Sequence, residues 1–157
     1  MRSGRRLGID VGKARVGVAI SDQTGLIATP FCTVLRQETM AATVAELLKQ
    51  IEDYEFIEIY VGLPLNLSGR FTASTTDSLD FAEAIAAVAS APVRFIDERL
   101  TTVTAASNLR NAGRNAKNSR AVIDQEAATL ILEQALNMER ATSRTPGKSV
   151  EEVKNET

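Results

Sequence analysis

Residues 5–20 read RRLGIDVGKARVGVAI, and this stretch decides how the rest of the chain is organised. Two runs of apolar and β-branched residues flank the segment Gly12–Ala14, which predicts two strands joined by a tight turn. One carboxylate, Asp10, stands inside the first run between Ile9 and Val11. Burying a lone carboxylate is costly unless a cation or hydrogen-bond donors compensate it. Asp10 therefore either faces water from an edge strand or holds a metal ion.

The glycines around Asp10 favour the metal-binding alternative. Gly8, Gly12 and Gly17 remove side chains from the surroundings of Asp10. Another backbone or a phosphate group can therefore approach closely. We interpret this turn as part of a binding site.

The composition limits the kind of protein and the kind of metal. The chain has 157 residues, 44% of them hydrophobic and 24% charged, which is typical of one soluble globular domain. No apolar run reaches the roughly 18 residues of a membrane span, and the N-terminus lacks the apolar core of a signal peptide, so we expect a cytoplasmic protein. The chain has no histidine and only one cysteine, Cys32. An internal disulfide and a thiolate cluster are excluded, and oxygen ligands favour Mg²⁺ or Mn²⁺.

The charge is unevenly distributed along the chain. The net charge is −2, yet residues 1–20 carry five basic residues against one acidic residue, and residues 92–120 carry six against two. Positive segments of this kind can bind phosphate groups even on an acidic protein. The alternative is that these side chains are simply solvated on helix faces.

The periodicity predicts an α/β fold. Residues 25–35 resemble a weaker third strand that is broken by Pro30, and helix and strand patterns alternate after it. We predict strands at 56–62 and 93–96, and helices at 39–53, 75–89, 101–112 and 120–140. This order predicts a mixed five-stranded sheet with an antiparallel three-stranded start and helices packed on it. We expect a domain over residues 1–140 and a disordered tail over 141–157, where the composition loses its periodicity.

Three acidic positions stand where a purely structural role does not require them. Asp10 lies in the first strand, Asp97 and Glu98 at the carboxyl end of the last strand, and Asp124 near the start of the last helix. Strand carboxyl ends form the ligand crevice of open α/β sheets, and Asp124 is expected on the helix face toward the sheet. Carboxylates from three elements suit two divalent ions, which can activate a water and stabilise the leaving oxygen of a phosphodiester.

The adjacent acids Asp97 and Glu98 point to opposite faces of a strand, so we expect one of them as a ligand and choose Glu98. Asp124 alone could instead be an acid favoured by the helix dipole. The predicted catalytic and metal-binding residues are Asp10, Glu98 and Asp124.

Basic and hydroxyl side chains near these acids are candidate contacts to nucleic acid. Lys13 and Arg15 follow Asp10, and Arg99 with two threonines follows Glu98. Such groups, together with helix N-terminal amides, can hold a phosphate. The threonines could equally be simple helix caps. The full set of predicted contacts is Lys13, Arg15, Arg99, Thr101, Thr102, Arg110 and Arg114.

Four motifs together resemble the YqgF/RuvX family. They are residues 8–19 (GIDVGKARVGVA), 61–64 (VGLP), 97–102 (DERLTT) and 124–132 (DQEAATLIL). Each motif alone has low specificity, but all four occur in order between about residues 5 and 138.

The resemblance implies an RNase H-like fold related to the Holliday-junction resolvase RuvC. It also implies a nuclease that finishes the 5′ end of the small-subunit ribosomal RNA precursor; an earlier proposal for the family is resolvase activity. Asp10, Glu98 and Asp124 then occupy the acidic positions of the metal site. RNase H-like enzymes often carry four acids, and the strand ending at Gly62 supplies none, so either Asp97 and Glu98 substitute or fewer protein ligands hold the metals.

Several functions remain open from the sequence. The first is a metal-dependent endonuclease on structured RNA, with a resolvase of branched DNA or a non-catalytic RNA-binding assembly factor as alternatives. The turn at Gly8–Gly12 also occurs in actin-like and sugar-kinase ATPases, although those generally pair two such domains in a chain more than twice this length. The expected partners are the small-subunit precursor or branched DNA, without a membrane, and the chain would be a monomer or a homodimer. A junction resolvase would require a two-fold dimer.

Overall fold

A single mixed sheet organises the computed structural model, which describes residues 1–100 and 120–156. The strands pair in the order β3-β2-β1-β4-β5-β6, with β1 to β3 antiparallel, β4 and β5 parallel to β1, and β6 antiparallel to β5. The predicted antiparallel three-stranded start is therefore confirmed. The strands span β1 Arg5–Val11, β2 Arg15–Ser21, β3 Ala28–Leu35, β4 Phe56–Leu63, β5 Val93–Asp97 and β6 Lys148–Ser149.

Four helices in the described part of the chain cover the sheet. Their bounds are α1 Met40–Gln50, α2 Ala73–Ala86, α3 Arg120–Thr142 and α4 Val150–Lys154. The first two begin at threonine caps, because the side-chain oxygens of Thr39 and Thr72 accept hydrogen bonds from backbone amides of the first turn. None of the helices among residues 1–100 and 120–156 is long and apolar enough to cross a membrane. The predicted helix 101–112 lies outside the described residues.

Side-chain alternation along the strands produces two separate cores. Leu7 and Ile9 of β1 point to the face that is covered by α1, α2 and α4. Ala19 and Tyr60 point to the opposite face, where they pack against α3. Successive side chains of a strand point to opposite faces, so Gly8 and Asp10 lie on the α3 face.

Helix α3 packs directly on β1 and β2 because glycines face it. A Cβ on Gly8 would lie 2.7 Å from the Cβ of Leu132 and 2.9 Å from the carbonyl oxygen of Ala128. A Cβ on Gly17 would overlap the backbone carbonyl of Asp124. The small residues of the opening hairpin thus bring the first turns of α3 directly above Asp10.

The third strand differs in detail from the prediction. It continues through Pro30, with a register shift opposite Val18 and Ala19. Proline is tolerated there because β3 is an edge strand and needs no amide donor on its outer side.

The C-terminal segment also differs from the prediction. The sheet has a sixth strand, β6, and the expected disordered tail forms β6 and α4. Ser149 caps α4 in a reciprocal pair with Glu152, Arg94 donates to the carbonyl of Pro146 at 2.7 Å, and Val153 is fully buried. A two-residue strand and one buried valine are too short to give a periodic signal. The boundary at residue 140 stays a prediction, although α3 continues across it.

Candidate active site

Two carboxyl groups from distant parts of the chain meet at the carboxyl ends of the parallel strands. Asp10 lies near the end of β1 on the α3 face, and Glu98 begins the 3₁₀ turn Glu98–Leu100 that follows β5. Both residues are half-buried, and their carboxyl groups are hydrogen-bonded to each other. Burial raises the pKa of Glu98, and the neighbouring Asp10 raises it further. Burial also raises the pKa of Asp10, so without a cation the pair retains a proton.

Gly62 of β4 provides the space for Glu98. A Cβ at Gly62 would overlap the Glu98 carboxylate and would lie 2.5 Å from Cδ1 of Ile131. Strand β4 contributes no acid to this site, because its acidic residue, Glu58, is bound to Arg2 near the other end of the strand. Glu98 fills the space above Gly62, so of the two adjacent acids Glu98 is the one that could substitute for an acid on β4.

Asp124 lies in the first turns of α3. Its Oδ2 accepts a hydrogen bond from Nε of Arg15 at 3.0 Å, and its charge contributes to raising the pKa of Asp10. The structure thus brings Asp10 and Glu98 into contact and holds Asp124 beside them in an ion pair. Within residues 1–100 and 120–156, no three acidic, histidine or cysteine residues are already gathered closely enough to hold one metal ion.

Asp97 points away from this pair. Its carboxylate accepts from the backbone amide of Arg99 at 2.9 Å and from the Arg99 guanidinium at 2.6 Å. Burial raises the pKa of Asp97, but these bonds lower it more, so the net value lies below the ordinary range. The strand ends at Asp97, and the 3₁₀ turn directs Glu98 inward. Of the two adjacent acids, Glu98 is therefore the one that reaches Asp10.

The turn after Asp10 is fixed by residues that the sequence analysis missed. Arg36 donates from Nη1 to the carbonyl of Gly12 at 3.0 Å and forms two bonds to the Asp77 carboxylate of α2, at 2.8 and 3.0 Å. Its backbone amide also donates to the carbonyl of Ala14 at 2.9 Å. No local pattern relates Arg36 to Asp77, which are 41 residues apart in the chain.

Three of the predicted nucleic-acid contacts lie near the carboxylates. Lys13 is exposed on the turn after β1, Arg15 is paired with Asp124, and Arg99 is exposed and paired with Asp97. The remaining predicted contacts lie outside the described residues: Thr101, Thr102, Arg110 and Arg114.

The donor set fits a hard divalent cation. Asp10 and Glu98 supply only carboxylate oxygens, the ligands that Mg²⁺ and Mn²⁺ prefer. Two carboxyl groups in contact, with a third acid beside them, repel one another when ionised, and a cation would relieve that repulsion. Asp10 and Glu98 could hold such an ion, with Asp124 next to it.

Comparison with known proteins identifies the family. The chain matches a family model described as "RuvX: Holliday junction resolvase" over residues 4–138. The chain belongs to the RuvX family. A relative from Leifsonia xyli subsp. xyli is 56% identical over 151 residues, covering 96% of this chain and 97% of the relative. A relative from Clavibacter michiganensis subsp. michiganensis is 50% identical over 150 residues, covering 96% and 93%. Both carry the provisional name pre-16S rRNA nuclease.

A solved structure of a distant protein has the same fold. T. thermophilus RuvC in complex with a Holliday junction substrate aligns with this RuvX-family chain at a TM-score of 0.56 and 16% identity, covering 88% of this chain and 96% of RuvC. At this identity the likeness concerns the fold alone. The predicted RNase H-like fold and the predicted family are both confirmed.

Proposed function

We propose that this RuvX-family chain cleaves precursor ribosomal RNA at the 5′ end of the small-subunit RNA, with Mg²⁺ or Mn²⁺ as cofactor. The enzyme is a hydrolase of phosphodiester bonds in nucleic acid, as the family match and the names of its relatives indicate. The observation that carries the proposal is the contact between the carboxyl groups of Asp10 and Glu98, at the strand ends where open α/β sheets bind ligands.

The proposed catalytic residues divide into metal ligands and phosphate contacts. Asp10 and Glu98 hold the cation, and Asp124 lies beside it. When bound, the divalent cation supplies activation of a water and stabilisation of the leaving oxygen. Lys13, exposed on the turn, offers its ammonium group to the backbone of the RNA. Arg15 holds the Asp124 carboxylate in place through the 3.0 Å bond.

The RNA substrate is proposed from the names of the relatives, which refer to pre-16S rRNA. Precursor ribosomal RNA of bacteria is made in the cytoplasm, so we place the enzyme there.

A cleavage assay with two substrates tests the proposal. The purified protein is incubated with precursor RNA and with a four-way DNA junction, each with Mg²⁺ and with Mn²⁺. We expect a discrete RNA product with wild-type protein and none with Asp10→Asn or Glu98→Gln. The exposed substitutions Asp80→Asn and Glu52→Gln are matched controls and should cleave normally. Unchanged cleavage by a folded Asp10→Asn protein would contradict the proposed site.

A second candidate is resolution of DNA junctions, which the description of the family model favours. Symmetric cleavage of a junction needs two active sites related by a two-fold axis. This alternative therefore predicts a homodimer by light scattering and paired cuts in the junction, with no cleavage of RNA. Retention of RNA without any metal-dependent product would instead indicate a non-catalytic assembly factor.

A further inference from the structure

An ion pair with Arg15 occupies Asp124, the third acid of the proposed active site. A Cβ on Gly17, the β2 residue paired with Asp10, would overlap the backbone carbonyl of Asp124, so the two acids are neighbours. The Asp124 carboxylate is nevertheless bound to Nε of Arg15 at 3.0 Å. Within residues 1–100 and 120–156, no three acidic side chains are gathered closely enough to hold one metal ion.

We propose that Arg15 and a divalent cation exchange places on Asp124. In the absence of the cation, Arg15 binds the carboxylate. When the cation is bound at the other two acids, Asp124 turns to it, and Arg15 is released to bind a phosphate of the RNA. This inference rests on the proposed function and specifies how its active site is assembled.

Arg15 lies on the face of the sheet that carries these acids. Successive side chains of a strand alternate between its faces, so Arg15 and Gly17 share one face of β2. Gly17 is paired directly with Asp10 of β1, and directly paired residues share a face. The guanidinium is therefore on the α3 face, together with Asp10 and the start of α3.

The Arg15–Asp124 pair has fewer hydrogen bonds than the other ion pair at this turn. Arg36 binds Asp77 through two hydrogen bonds, at 2.8 and 3.0 Å, and also donates to the carbonyl of Gly12. In the described part of the chain, Arg15 binds Asp124 through Nε only, and the two side chains are 26% and 21% exposed. A bidentate arginine–carboxylate pair is stronger than a single bond, and a partly exposed pair contributes little to stability. The Arg36 pair therefore holds the turn, and the Arg15 pair can be exchanged at low cost.

The backbone on both sides of the Arg15 pair is fixed, so the exchange needs only side-chain rotation. Arg15 begins β2, which is paired on both sides in the sheet. The first turns of α3 lie directly on Gly17, and Gln125 donates from Nε2 to the hydroxyl of Thr33 in β3 at 3.0 Å. The backbone of Asp124 therefore stays beside the other acids when its carboxylate leaves Arg15.

The charges favour the exchange when a cation is present. Without a cation, the Asp124 carboxylate faces the single positive charge of Arg15. A hard divalent ion carries twice that charge and prefers carboxylate oxygens as ligands. It attracts the carboxylate and repels the guanidinium, so both interactions favour the release of Arg15.

Release of Arg15 links binding of the cation to binding of the substrate. The planar guanidinium can bind phosphate oxygens through two hydrogen bonds, and the exposed Lys13 lies on the same turn. Coupling between two ligands is reciprocal, so a phosphate bound to Arg15 also frees Asp124 for the cation. We therefore expect the cation and RNA to strengthen each other's binding through this pair.

Calorimetric titration of metal-free protein with Mn²⁺ tests the exchange without RNA and without cleavage. Arg15→Gln removes the group that competes with the cation, so we expect it to bind Mn²⁺ about tenfold more tightly than wild type. If Arg15 only held Asp124 in the correct position for the metal, the same variant would bind Mn²⁺ more weakly. Thermal unfolding of each variant shows that it is folded.

Two further variants separate the exchange from a simple change in charge. Lys13→Gln removes a positive charge from the same turn and leaves the Arg15–Asp124 pair intact, so its gain in Mn²⁺ affinity should be much smaller. In an Asp124→Asn background, Arg15→Gln should add no more affinity than Lys13→Gln does, because no carboxylate remains to be released.

RNA binding tests the link to phosphate. The probe is a fluorescently labelled RNA hairpin, and its anisotropy is measured with and without Ca²⁺, which replaces Mg²⁺ to measure binding without cleavage. We expect Ca²⁺ to strengthen RNA binding about fivefold more in wild-type protein than in Arg15→Gln. Equal strengthening in both proteins would overturn the transfer of Arg15 to phosphate.

The possible results are separable from those of the cleavage assay. If Arg15→Gln binds Mn²⁺ no more tightly than Lys13→Gln, or if its gain persists in the Asp124→Asn background, the exchange is wrong even when the protein cleaves RNA. If the gain depends on Asp124 but wild-type protein with Mg²⁺ or Mn²⁺ cleaves nothing, the proposed nuclease function fails and the exchange stands.

Discussion

Gly62 shows how a residue without a side chain shapes the proposed active site. The carboxylate of Glu98 occupies the position that a Cβ at Gly62 would take, and Cδ1 of Ile131 closes the same space. The glycine therefore decides whether Glu98 can reach Asp10. The limit is steric, so even a methyl group at position 62 would keep the Glu98 carboxylate from its place beside Asp10.

We predict that Gly62→Ala lowers cleavage strongly and destabilises the protein by about 1–3 kcal/mol, a typical cost of overpacking. The methyl group would displace the Glu98 carboxylate from Asp10. Gly8→Ala is the control, because its methyl group would contact Leu132 and Ala128, not Glu98. Thermal unfolding and cleavage per folded molecule are measured for both. Equal loss of specific activity in the two variants would contradict the role of Gly62.

A buried ion network at the other end of the sheet determines how stability depends on pH. Glu139 of α3 accepts hydrogen bonds from Arg2 at 2.8 Å and from the fully buried Arg6 at 2.9 Å. Burial raises the pKa of Glu139, but its bonds to Arg2 and the charge of Arg6 lower it more, to about 2. A folded-state pKa below the ordinary value means that the stabilisation is present above about pH 4.5 and is lost as the pH falls toward 2.

We predict that Glu139→Gln lowers the free energy of unfolding at neutral pH by on the order of 3 kcal/mol, because it leaves the fully buried Arg6 without its anion. The difference from wild type should shrink as the pH falls below about 4.5. Urea unfolding at a series of pH values measures this difference in the free energy of unfolding, and the exposed substitution Glu55→Gln is the control. A difference that is independent of pH would refute this account of the network.

At the scale of elements, the C-terminal segment shows the limit of pattern analysis. Strand β6 pairs only Ser149 and Lys148 with β5, and α4 has five residues. The segment is held by the fully buried Val153, by Val150 packed against the same core, and by hydrogen bonds from Arg94 to the carbonyls of Pro146 and Gly147. Tertiary packing of a few apolar residues stabilises a segment that has no helical periodicity.

We predict that Val153→Asp releases β6 and α4 from the sheet. The variant loses the burial of a valine, about 1.5–3 kcal/mol, and would have to bury a charge. Limited trypsin digestion should cleave the variant faster at Arg144 and Lys148 than wild type. Glu151→Gln, an exposed change in the same helix, should leave the digestion pattern unaltered. Rapid cleavage of the wild-type segment would show that it is not held in place.

At the scale of the whole molecule, the two faces of the sheet differ in role: one holds the larger core, and the other carries the proposed active site. One face packs against α1, α2 and α4 in a large apolar core. The other face carries glycines, acids and helix α3, and it packs a smaller core. The burial of Asp10 and Glu98 opposes folding on this second face until a cation binds, because the desolvated carboxyl groups must retain a proton there.

We predict that Mg²⁺ or Mn²⁺ raises the melting temperature of wild-type protein dialysed against a chelator. A ligand that binds only the folded state stabilises it by about 2.7 kcal/mol at one hundred times its dissociation constant. Asp10→Asn should melt higher than wild type without metal, because it removes a buried ionisable group, and should lose most of the shift with metal. Asp80→Asn should behave as wild type. A metal-induced shift of full size in Asp10→Asn would exclude Asp10 as a ligand.

The sequence alone predicted much of the arrangement around β1. The strand alternation at Leu7–Val11, the periodicity of α1 and α2, and the family motifs are local signals, which can be recognised without knowledge of contacts. Glu98 is the adjacent acid that contacts Asp10, although the strand ends before it, and its choice as a metal ligand stays a prediction. The sequence analysis missed the Arg36–Asp77 pair and the space that Gly62 leaves for Glu98. Each depends on a contact between residues far apart in the chain.

The sequence by itself determined the sheet with its antiparallel start, the family and the oxygen-only donor set, since these follow from side-chain periodicity, motif order and the lack of histidine. Only the tertiary structure decided that Glu98, not Asp97, meets Asp10, that Asp124 is held by Arg15, and that the tail adds β6 and α4. Each of these depends on the close packing of elements, in which one missing Cβ or one buried valine determines which groups can touch.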